Sequence, residues 1–258
     1  MGHIRLGRLP KKKPWSAVFS VLKGENITPS DVARTVVQSA KEQFSVLEGN
    51  AGVNYCFWIL VRIATAARSN NFFTELEQLG INIAGVNSGV AFVQHVSKSV
   101  EQEVKKRVPS TVFVRMAELS LREVLSSNII EQSKSLFGTG GEEICCACRA
   151  ISTRNSFGKV AREFFSKFIS RSIRYIADKE LSNYIGSGCL MKSPREALAF
   201  HQELNTYCFN TAKIVEEFSA GWFSKHNWET NNNISEESTV GFTAYALQKI
   251  QMELEEQS

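Results

Sequence analysis

Tyr55-Cys56-Phe57-Trp58-Ile59-Leu60-Val61 is the most apolar run of the chain; Arg62 interrupts it, and Ile63-Ala64-Thr65-Ala66-Ala67 continues it. At about 13 residues the run falls short of the roughly 18 that a membrane-spanning helix needs. It predicts instead a buried central helix over about 53–68, which other elements must cover.

The elements on either side read as helices. Upstream, Gly49-Asn50-Ala51-Gly52 breaks the chain, and Thr28-Pro29-Ser30-Asp31 has the chemistry of a helix start. Thr28 can cap, Pro29 suits the first helical position, and Asp31 can reach back as in a capping box. Val32, Val36, Ala40, Phe44 and Leu47 then recur at helical spacing. Before them, Trp15–Phe19 begins a short helix that Gly24 can end.

Downstream, a short helix around 71–79 ends at Gly80. A helix over 88–107 aligns Val93, Val96, Val100 and Val104 and stops before Pro109. One over 110–126 puts Phe113, Ala117, Leu121 and Val124 on a face, with β-branched content that leaves some strand character open. A helix follows near 156–179. Ser193-Pro194-Arg195-Glu196 is a second capping-box start, opening a long helix to about 224. Asn227–Thr239 reads as a polar linker before a last helix near 240–256.

The predicted fold is all-α: a multi-helix globular bundle with a long helix in the C-terminal half and an extended basic N-terminal arm. Phe137-Gly138-Thr139-Gly140-Gly141 is the clearest internal break. It divides the chain into an arm (1–14), an N-terminal bundle (15–137), a C-terminal helical unit (142–226), and a polar linker with a terminal helix (227–258). One domain accommodates these as well as two. Val36, Phe44, Trp58, Ile59 and Phe168 are the expected core.

Charge is distributed unevenly. The formal net charge of +4 hides six cations without an acid in residues 1–23, and six glutamates against one lysine in residues 227–258. The arm carries Arg5, Arg8, Lys11, Lys12 and Lys13, interleaved with Ile4, Leu6 and Leu9. A flexible cationic segment of this kind can track nucleic-acid phosphates or anionic lipid headgroups. The 156–179 helix spreads Phe157, Phe164, Phe165, Phe168, Ile169, Ile173 and Ile176 over one side. Lys159, Lys167, Arg171 and Arg174 gather on the other. From Arg149 to Lys179 there are eight cations and two acids. Such a helix can hold phosphates on its basic face or lie on a membrane with its aromatics buried; a solvated basic face is the plain alternative.

Catalytic and cofactor motifs fail on inspection. Cys145 and Cys148 have Cys-x2-Cys spacing, but Cys189 and Cys208 do not form a second close pair, so neither a structural zinc site nor a metal ligand set is expected. With three of the six cysteines in four residues and no apolar leader behind the N-terminal cations, reduced thiols and a cytoplasmic location are expected. Gly138-Thr139-Gly140-Gly141 is followed by Glu142-Glu143, which would repel phosphate. Gly2 lacks the Ser/Thr partner of a myristoylation signal, since position 6 is Leu6. His201-Gln202-Glu203 lacks the second histidine of a zinc-protease helix, and no serine sits in G-x-S-x-G. Glu103-Val104-Lys105 matches half a nuclease motif without its upstream acid. Asp31 and Asp178 are the only aspartates, which counts against clustered-carboxylate metal chemistry.

The function expected from the sequence is therefore a non-enzymatic helical binding protein without catalytic residues, metal or cofactor. It would engage nucleic acid through the arm and Lys159, Lys167, Arg171 and Arg174. The alternatives are an adaptor or regulatory subunit with a protein partner, docking or not on an anionic membrane surface, and an enzyme whose site leaves no local motif.

Overall fold

The structure, a computed structural model, describes residues 28–39, 47–131, 140–181 and 194–256. The arm, the Trp15–Phe19 helix, Phe44, the Gly138–Thr139 part of the glycine break, Cys189 and Ser193 lie outside the described residues. Within them every regular element is helical: α1 (Pro29–Ser39), α2 (Ala51–Ala66), α3 (Phe72–Gln78), α4 (Gly89–Arg107), α5 (Val112–Leu125), α6 (Gly141–Ala150), α7 (Arg154–Leu181), α8 (Pro194–Thr211), α9 (Lys213–Glu229) and α10 (Glu236–Glu256). A π-helical turn, Ser126–Ile130, extends α5. The all-α bundle read from the sequence is the fold.

Local chemistry explains where these helices start. Thr28 and Asp31 form the expected reciprocal box: the Asp31 N–H donates to Thr28 Oγ1 at 3.2 Å, and the Thr28 N–H to Asp31 Oδ2 at 3.3 Å. Asn50 Oδ1 accepts from the N–H groups of Gly52 and Val53 and opens α2. Ser88 and Thr111 cap α4 and α5 in the same way. Val108 is extended ahead of Pro109, as the proline ring requires.

Two helices form the centre. Of α2, all residues from Gly52 to Ala66 are buried except Trp58, as a helix apolar on all sides must be. It is covered by α3, α4, α5, α6 and α10. The second, α7, is packed by α1, α5, α8 and α9. Phe57 joins the two, with ring centroids 5.7 and 5.0 Å from Phe164 and Phe165 and a stacked contact with Phe242 at 5.1 Å. Phe157 stacks on Phe223 of α9 at 3.8 Å. The backbones of α7 and α9 come close at Gly158, where a Cβ would lie 2.8 Å from the Glu216 carbonyl oxygen. A single hydrophobic cluster runs from Val32 to Leu254 and includes residues on both sides of the glycine break.

Val36, Ile59 and Phe168 are fully buried, as expected. Trp58 is only half-buried, because its indole Nε1–H reaches outward to the Ile234 carbonyl at 3.1 Å. Two other sequence expectations need correction. The long helix after Pro194 is two helices, α8 and α9, which meet at Ala212 and both pack on α7. The Asn227–Thr239 linker is also much shorter than predicted. Asn227, Trp228 and Glu229 complete α9, α10 begins at Glu236, and only Thr230–Ser235 joins them. In that joint Asn231 and Asn232 adopt positive φ (50° and 64°), a conformation asparagine tolerates better than most residues.

Candidate functional site

The end of α5, the middle of α7 and the last two turns of α8 enclose a cleft of about 460 Å³. Three of the four helix cations singled out in the sequence, Lys167, Arg171 and Arg174, line it. Ser127, Ser166, Ser170, Asn205 and Thr206 supply further polar groups, and Phe209 forms an aromatic edge. Two carboxylates, Glu123 and Glu163, also line it, which leaves these ionisable groups at a formal +1.

The π turn shapes the α5 wall. Its hydroxyl and amide side chains bond back to carbonyls of the preceding turn, adding to the backbone bonds there. Ser126 Oγ donates to the Arg122 carbonyl at 2.8 Å, Ser127 Oγ to that of Glu123 at 3.1 Å, and Asn128 Nδ2 to that of Val124 at 2.9 Å. Asn128 Nδ2 also donates to Glu163 Oε2 at 2.9 Å and so links this turn to α7. On the opposite wall Ser170 Oγ donates to Asn205 Oδ1, tying α7 to α8.

Glu123 organises the cations. Lys167 Nζ donates to its Oε1 at 2.6 Å, and Arg171 to its other oxygen. A second Arg171 nitrogen donates to Ser120 Oγ at 3.0 Å. Partial burial would push the Glu123 carboxyl up, but the hydrogen bonds from Lys167 and Arg171 outweigh it and hold the group below its ordinary range. Lys167 and Arg171 are thus neither freely solvated nor fully neutralised: two cations share one carboxylate at the rim.

The joint between α8 and α9 is fixed by Arg162. Its Nε donates to the Phe209 carbonyl at 2.9 Å, satisfying one of the terminal carbonyls of α8. Its Nη1 pairs with Glu216 of α9 at 2.9 Å. The guanidinium also lies over the Phe209 ring, 3.9 Å from the centroid.

Lys159 is exposed on α7 and does not line the cleft. Arg5, Arg8, Lys11, Lys12 and Lys13 lie outside the described residues. Glu123, Ser127, Asn205, Thr206 and Phe209 left no local motif in the sequence.

The other motifs sit elsewhere. Cys145 is half-buried, Cys146 exposed and Cys148 buried, all as free thiols. Burial raises the thiol pKa of Cys148 well above its usual value, and that of Cys208 to about 12. Among the described residues no group of three or more His, Cys, Asp or Glu side chains is placed to hold a metal ion, and no helix is long and apolar enough to cross a membrane. Glu103 is engaged by Lys106 and Arg107, and Lys105 by Glu101. His95 Nδ1 lies 2.7 Å from the Asn82 carbonyl, and His226 Nδ1 2.9 Å from that of Trp222.

No family model matches the chain, and neither a search of curated proteins nor one of solved structures finds a similar protein.

Proposed function

We propose that the protein is a non-enzymatic helical binding protein that engages nucleic acid through its phosphates, held by Lys167, Arg171 and Arg174 in the cleft and by the basic arm. The observation that carries this reading is the convergence of those three cations with Ser127, Ser166 and Ser170 on one concave surface. Phosphate oxygens take charge-assisted bonds from lysine and arginine and further bonds from hydroxyls. The aromatic side of α7 supports the same reading. Phe157, Phe164, Phe165 and Phe168 are spent in the core, so the helix offers a ligand its polar edge rather than an apolar face. The free thiols suit a reducing compartment, which supports a cytoplasmic site of action.

The test is the anisotropy of a labelled oligonucleotide titrated with the full chain at rising salt. Binding should weaken steeply, with each phosphate contact adding about 0.7–0.9 to the logarithmic slope. Arg174→Ala should weaken binding and flatten the slope by about one contact. Absence of binding at low salt, or binding indifferent to Arg174→Ala and to deletion of residues 2–13, would overturn the proposal.

A further inference from the structure

We infer that the cleft receives one unstacked nucleotide of a single strand, its phosphate at Lys167, Arg171 and Arg174 and its base against Phe209. This rests on the nucleic-acid reading above and narrows it to a substrate class.

Phe209 is set apart by its surroundings rather than by its exposure. It is 40% exposed, it lines a cleft otherwise dominated by polar and charged groups, and it stands outside the hydrophobic core. The ring is held in place by a cation rather than by the core. Arg162 covers it from 3.9 Å while anchored to the Phe209 carbonyl and to Glu216. The guanidinium covers the ring from one side, and the ring also lines the cleft. A fixed, open aromatic ring beside cations is the combination that single-strand binders use: charge holds the backbone and the ring stacks a base.

The dimensions agree. A volume of about 460 Å³ lies in the range of small-ligand pockets, about 300–1,000 Å³. It suits one nucleotide. A duplex keeps its bases stacked inside and exposes only groove edges, so it cannot deliver a base face to Phe209. Thr206 and Asn205, three and four residues before Phe209 on α8, also line the cleft. The Thr206 hydroxyl donates to the Gln202 carbonyl and Asn205 Oδ1 accepts from Ser170, which leaves the Asn205 amide N–H groups and a Thr206 lone pair for a base edge.

The experiment compares a single-stranded oligonucleotide with the duplex of the same sequence, using the full chain and Phe209→Ala and Phe209→Tyr variants. The single strand should bind at least about tenfold more tightly. Phe209→Ala should cost it about 5- to 100-fold while leaving its salt slope unchanged, and Phe209→Tyr, which keeps the ring, should bind like the parent protein. Equal binding of both forms, or a single-strand preference that Phe209→Ala does not reduce, overturns the stacked-base inference and leaves the phosphate reading standing. Binding of neither form at low salt overturns both. Loss of affinity in the Tyr variant as well as the Ala variant makes Phe209 a packing residue, and the inference falls.

Discussion

The guanidinium of Arg62, on the most apolar helix of the protein, donates to Asn233 Oδ1 at 2.7 Å across 171 residues of chain. The same nitrogen also donates to the Asn232 carbonyl at 3.3 Å, and Arg62 pairs with Glu75 at 3.5 Å. Arg62 is only 6% exposed. A cation so placed needs its partners, because burial penalises its charge and Glu75 offsets that only in part. The residue that breaks the apolar run is therefore the one that pins the α9–α10 joint. Trp58, one turn earlier, holds the same joint through Ile234.

Arg62→Ala should destabilise the protein by about 3 kcal/mol, since it leaves a cavity and strips the joint of its donors. Arg62→Met keeps the packing and avoids burying a charge, so it should cost about half as much. Both should speed amide exchange at Asn232 and Asn233, whose N–H groups bond to the Asn227 and Thr230 carbonyls. Urea denaturation and hydrogen exchange read the two effects. Unchanged exchange in both variants would show that the joint holds without Arg62.

Adjacent aromatics on α2 should respond differently. Phe57 is fully buried among five rings, so Phe57→Ala should cost about 3–5 kcal/mol. Trp58→Phe removes mainly the bond to Ile234 and should cost about 1 kcal/mol. Urea midpoints of the two variants should differ accordingly; equal midpoints would place Phe57 outside the centre of the core.

What the sequence made legible follows from what each signal measures. Helical periodicity and caps report local chemistry, so Thr28–Asp31, the valine stripe of α4 and the apolar run of α2 were readable. The break at Ala212 was not, because no glycine or proline marks it. It is stabilised from 47 residues away by Arg162, which reaches the Phe209 carbonyl. The joint after α9 looked like a long linker because Asn231-Asn232-Asn233 is polar. Two of those asparagines take left-handed backbone, while the third accepts from Arg62. In the cleft, Lys167, Arg171 and Arg174 were visible as a basic arc of α7. The carboxylate that pairs with Lys167 and Arg171, 44 and 48 residues earlier, was not, and neither was the ring supplied by α8.

Acidification should reveal how Glu123 contributes to stability. Its carboxyl is held below the ordinary value of 4.5 in the folded protein. A depressed folded pKa means stability that is fully present above the unfolded value and lost as pH falls through the folded one. Glu123→Gln should therefore melt below the parent protein at neutral pH, by about 1 kcal/mol or less because the pairs are partly exposed. The gap should close as the pH drops below 4.5 and Glu123 in the parent protein becomes protonated. A gap that is constant with pH would mean that the amide costs stability by packing and not by charge.

The same substitution separates a binding cleft from a structural ion cluster, because the two roles move in opposite directions. In the parent protein Glu123 competes with any incoming phosphate for Lys167 and Arg171. Replacing it with glutamine removes one negative charge from the rim and loosens both cations, raising the formal charge of the five ionisable groups lining the cleft from +1 to +2. If these cations serve a phosphate ligand, Glu123→Gln should bind a labelled single-stranded oligonucleotide about 3- to 10-fold more tightly at low salt, since two charges about 4 Å apart interact by roughly 1 kcal/mol when water screens them, as at the half-exposed Glu123. The salt slope should steepen as well, because two cations now meet phosphates without an internal rival. If they serve only to join α5 to α7, stability falls and affinity stays where it was. A variant that is less stable yet binds more tightly is the signature of a site that trades internal pairing for ligand contacts, and thermal melting beside anisotropy on one preparation measures both.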